Sequence, residues 1–77
     1  MTPEQEKQLL YELSVLEHEQ WMHWAQHVLL TENISEETRK RWEEYCVPYS
    51  QLKEPIQDLD TIFAQKTLTL IKNTLSL

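Results

Sequence analysis

Residues 2–30 read TPEQEKQLLYELSVLEHEQWMHWAQHVLL. Thr2 can accept a hydrogen bond at an N-cap, Pro3 suits the first helical position, and Gln5 completes a capping box. Beyond this start Leu9, Leu13, Leu16, Trp21, Trp24 and Val28 recur at spacings of three to five residues. That periodicity predicts one long amphipathic helix ending near Leu30. Thr31-Glu32-Asn33 then breaks the pattern, and Asn33 is the residue there that most readily accepts a left-handed turn.

Two further helices follow from the same rules. Ser35-Glu36-Glu37 opens a shorter one, with two acids at the positive end of its dipole. Val47-Pro48 ends it, because the residue before a proline is pushed out of the α region. Pro55 suits a first helical turn, and Ile56, Leu59, Ile62, Phe63, Leu70 and Ile71 trace an apolar stripe after it. Helices near 3–30, 35–46 and 55–74 make a compact, all-α, three-helix domain covering 1–77.

Composition bounds the function. A chain of 77 residues with 40% apolar content folds as one domain, but removes only roughly 60% of its unfolded surface from water. A thin core and a third helix ending in Leu75 and Leu77 favour a homo-oligomer. With no glycine at all, the chain has no P-loop, dinucleotide fingerprint or nucleophile elbow. A net charge of −6 disfavours nucleic-acid polymers and anionic membranes as partners. No apolar run approaches a membrane span, and the single cysteine, Cys46, forms no internal disulfide; both features point to the cytosol.

The chemistry concentrates between positions 21 and 49, where Trp21, Trp24, Trp42, Tyr45 and Tyr49 fall around the basic run Arg39-Lys40-Arg41. These rings either fill the core or line a groove, and the basic run is either a solvated face or a phosphate contact. Flat rings beside arginines suit a nucleobase and a phosphate. His23 and His27 share a helix face at a spacing that zinc sites use, but nothing nearby completes a metal site, so neither metal nor cofactor is expected. His18 reads as a buried histidine tying the first helix to a neighbour, on or beside the same aromatic face. Cys46 follows an aromatic at a helix end and lacks a base; no catalytic constellation emerges.

Together His18-Glu19-Gln20-Trp21, Arg41-Trp42 and Val47-Pro48-Tyr49-Ser50-Gln51-Leu52 resemble the RyR domain, the ryanodine-receptor repeat that also occurs as a short stand-alone protein in bacteria and phages. The resemblance runs from Glu12 to Leu70. It departs where the family carries a lysine and an arginine around an aspartate: Asp60 matches the aspartate, but Gln57 and Thr61 replace the basic residues. It implies a helical, non-enzymatic binding domain for a nucleotide-derived signalling molecule, such as a cyclic nucleotide or an ADP-ribose derivative. A free-standing phage copy would sequester that signal as an anti-defence sponge. The residues expected to hold the ligand are His18, Trp21, Arg39, Arg41, Trp42 and Tyr49, with charge supplied by Arg39 or Arg41. The alternative is a protein-interaction module whose aromatic groove takes a partner helix or peptide.

Overall fold

The computed structural model describes residues 1–76; Leu77, expected to close the apolar end of the third helix, lies outside the described residues. Helix α1 spans Pro3–Thr31, α2 spans Glu36–Tyr45 and α3 spans Glu54–Leu75. One 3-10 turn, Tyr49–Gln51, interrupts the connector, and the described residues contain no strand. No helix among them is long and apolar enough to cross a membrane.

The helix starts follow local chemistry. Thr2 Oγ1 accepts from the Gln5 N–H at 3.1 Å, and Gln5 Oε1 accepts from the Thr2 N–H at 2.9 Å. Ser35 Oγ accepts from the Thr38 N–H at 3.2 Å. The exit from α1 differs from expectation. Glu32 is extended, at φ −115°, and Ser76 is the only described non-glycine residue with positive φ, so Asn33 makes no left-handed turn. The last turn of α1 contains no basic residue; Arg39 reaches over from α2 and donates from Nη1 to the Leu29 carbonyl at 3.1 Å. A cation there meets the negative end of the α1 dipole.

Helices α1 and α3 run antiparallel. Lys72 Nζ pairs with Glu6 Oε1 at 2.9 Å near one end, Ser14 and Thr61 hydroxyls meet at 3.4 Å, and His18 Nδ1 lies 3.4 Å from Asp60 Oδ2. The seam is not the stripe picked by periodicity. Its buried members are Ser14, His18 and Ala25 on α1 and Ala64 and Leu68 on α3, joined by Tyr49 and Leu52 from the connector. Leu16 and Trp24 remain 59% and 54% exposed. Size explains the difference: the closest interaxial distances require small side chains at the contact, and Ser14, Ala25 and Ala64 supply them. Larger residues flank the seam. The result is a slab of 46 × 23 × 14 Å with a radius of gyration of 14.9 Å. A compact domain of this length would have about 11.5 Å.

The connector lies across α1 and is pinned at several points. His18 Nε2 donates to the Val47 carbonyl at 2.7 Å. Tyr49 sets its ring edge-on to Tyr11 at 5.6 Å and its hydroxyl 3.3 Å from Thr61 Oγ1. Gln57 Nε2 donates to the Tyr49 carbonyl at 2.9 Å. Gln57 and Thr61 therefore hold the connector onto α3.

His18 is 2% exposed, so its removal strands the Val47 carbonyl and Asp60. An unsatisfied buried polar group costs about 1–3 kcal/mol. Urea denaturation should show His18→Ala losing about that amount, while His23→Ala, at an exposed position of α1, stays within about 0.5 kcal/mol of wild type. Equal losses in both variants would contradict the role assigned to His18.

Candidate functional site

Three helices converge on one groove. From α1 come His18 and Trp21, from α2 Trp42 and Tyr45, and from α3 Ile56, Leu59 and Asp60, around about 230 Å³. Trp21 and His18 share a face because they stand three apart on a helix; Trp42 and Tyr45 do the same on α2. The Trp21 ring stacks on His18 at 6.0 Å with planes 14° apart and meets Trp42 edge-on at 6.0 Å. Tyr45 tilts against Trp21 at 6.3 Å. Edge-on and offset arrangements of this kind are the favourable ones for aromatic pairs, so the rings form fixed walls.

Of the residues expected to bind ligand, His18, Trp21 and Trp42 come together here. Tyr49 does not line this groove. It is buried with its ring 6.5 Å from the imidazole, and lines another hollow with His18, Val15, Met22, Cys46, Val47 and Pro48. Arg39 and Arg41 are also absent from the lining. Arg39 is spent on the Leu29 carbonyl, and Arg41 is exposed on α2. Tyr45 was visible as part of the aromatic cluster. Leu59 and Ile56 carried an apolar-stripe signal only, and Asp60 stood out only through the resemblance drawn from the sequence.

The groove is electrostatically one-sided. Asp60 is its only acidic residue, and no lysine or arginine lines it. Burial pushes the Asp60 carboxyl above its ordinary value; His18 pulls it down, and Glu17 adds to the rise. His18 must carry a proton on Nε2, since the Val47 carbonyl can only accept. Its Nδ1 faces Asp60 Oδ2 at 3.4 Å, an ion pair when the imidazole is charged. Asp60 has no other hydrogen-bond partner among the described residues, so its second oxygen is free to accept from a ligand.

Cys46 is half-buried; burial, and after it Glu43, pushes its thiol up, which disfavours the nucleophilic thiolate. Among the described residues no group of three or more histidine, cysteine, aspartate or glutamate side chains stands where it could hold a metal ion.

No protein-family model, curated protein or solved structure matches this chain. The raised Asp60 carboxyl fixes a sign. The folded state holds a proton that the unfolded state has already released, so Asp60 contributes stability at low pH and loses it as pH rises through its folded value. Asp60→Asn removes that dependence. Denaturation across the acidic range should therefore show the variant losing ground against wild type as pH falls from neutrality into the carboxylate range. A difference that shifts the other way would mean that the Asp60 carboxyl is depressed.

Proposed function

We propose that the chain is a non-enzymatic binding module whose groove takes the flat, nitrogen-bearing ring of a nucleotide-derived signalling molecule. The observation that carries this reading is the placement of the Trp21, Trp42 and Tyr45 rings around the Asp60 carboxylate, which His18 holds in position. A groove of about 230 Å³ suits one ring system rather than a whole nucleotide, since sites that enclose drug-sized ligands run from about 300 Å³ upward. Stacking on an aromatic wall contributes about 1–3 kcal/mol per base, and a carboxylate oxygen accepts from an exocyclic amine or ring N–H. Recognition is led by the base. Phosphates stay outside the groove, and the exposed Arg41, one helical turn before Tyr45 and in no ion pair among the described residues, is a cation that can meet them. Arg39 is occupied and leaves the ligand set.

A second reading, a partner peptide in the same groove, is favoured by the missing cation: a carboxylate ringed by aromatics suits a basic side chain. Calorimetry separates the two. With adenine- and guanine-containing cyclic nucleotides and ADP-ribose, wild type should bind at least one ligand. Asp60→Asn and Tyr45→Leu should each weaken it about 5- to 100-fold, the span that one stacked or charge-assisted contact supplies. Arg39→Ala should lower stability by about 1 kcal/mol and leave affinity unchanged. Silence across the panel, with binding of an arginine-bearing peptide instead, transfers the groove to the second reading.

A further inference from the structure

A second hollow, about 480 Å³ and more open, adjoins the groove and is lined by Glu17, Gln20, Trp24 and Phe63 together with Trp21, Leu59 and Asp60. Its large apolar members are left in water: Trp24 is 54% exposed, Leu59 60% and Phe63 57%. Helical spacing extends the stripe along α3 through Lys66 to Leu70, and the Lys66 ammonium sits 4.9 Å from the Phe63 ring centre, on the same face.

We infer that this α1–α3 face, centred on Trp24, Leu59, Phe63 and Leu70, docks a second copy of the same chain. The area argues for it. The chain exposes 5936 Å², whereas a folded monomer of its mass exposes about 5,000 Å². The surplus, roughly 1,000 Å², is close to the ~800 Å² per partner that a standard interface buries. The 14 Å thickness agrees: α1 and α3 lie side by side, with only the short α2 and the connector packed over them. A second slab across this face adds a layer as an antiparallel pair of helices against its own equivalent.

Charge is compatible with a copy of the chain as the partner. A chain of net charge −6 repels itself, but this face carries both signs, Lys66 on α3 against Glu17 and Asp60. A two-fold interface brings the same patch to both sides, so the cation of each copy can meet the anion of the other. Because Trp21, Leu59 and Asp60 border both hollows, the docked copy also walls the open side of the groove, whatever the groove binds.

Sedimentation equilibrium at tens of micromolar tests the pairing without any ligand. Wild type should give twice the 9.3 kDa chain mass, and Phe63→Glu and Leu70→Glu, each at an exposed position, should give the single-chain mass with unchanged helical circular dichroism. Should one variant fail to fold, the other decides. A wild-type mass of 9.3 kDa, or a dimer that survives the substitution in a folded variant, overturns the inference; the first result leaves the face to a different partner.

Discussion

Every segment of the fold is tied, directly or through one neighbour, to the buried imidazole of His18. Its Nε2 holds the connector by the Val47 carbonyl, its Nδ1 faces Asp60 on α3, and its ring plane carries Trp21, against which Trp42 and Tyr45 of α2 are set. A small domain normally fixes its elements by apolar burial, and here few large side chains are buried at all. A polar clasp with both nitrogens engaged is directional, and so it sets register where a thin apolar core would not. Its cost is that breaking one contact leaves a desolvated carbonyl or carboxylate behind.

The seam between α1 and α3 explains why so much apolar surface stays outside. Ser14, Ala25 and Ala64 let the backbones approach closely, but small side chains bury little area when they do so. The Ser14 hydroxyl is accommodated by donating back to the Leu10 carbonyl at 2.8 Å. Leucines and aromatics that a conventional helical pair would turn inward are displaced to its flanks, where Leu16, Trp24 and Phe63 stand in water. Close approach and large exposed faces are two results of one choice of residues.

The sequence makes the helices legible because caps and breaks are local: Thr2, Pro3, Gln5, Ser35, Pro48 and Pro55 each act within one turn. It misleads on the buried stripe because periodicity ranks positions by apolarity, while a close helix crossing selects for size. Leu16 and Trp24 satisfy the first criterion and Ser14 and Ala25 the second. The site was half legible. His18, Trp21 and Trp42 share a groove, since aromatics at helical spacing on adjacent elements converge. Arg39 misled because its partner is a backbone carbonyl, and a carbonyl left open by a helix end has no side-chain signature. Its one trace is the lack of any basic residue in the last turn of α1. Gln57 and Thr61, departures when set against a family pattern, have a physical task in pinning Tyr49.

Asp60 links the fold to the groove. One of its oxygens faces His18, and the carboxylate also lines the groove, so the group that locks α3 to α1 is the group a ligand would address. Its ionised form is disfavoured chiefly by burial. A ligand that donates an N–H to the second oxygen stabilises that ionised form and thereby offsets the desolvation that folding imposed. For such a ligand, affinity and stability would be linked through one carboxyl, because both depend on the ionisation of Asp60. An acceptor-only ring gains nothing from this arrangement, since it would face the lone pairs of a carboxylate. On the proposed reading the groove would select by hydrogen-bond polarity before it selects by charge, with the base held against Asp60 and the phosphates left in water.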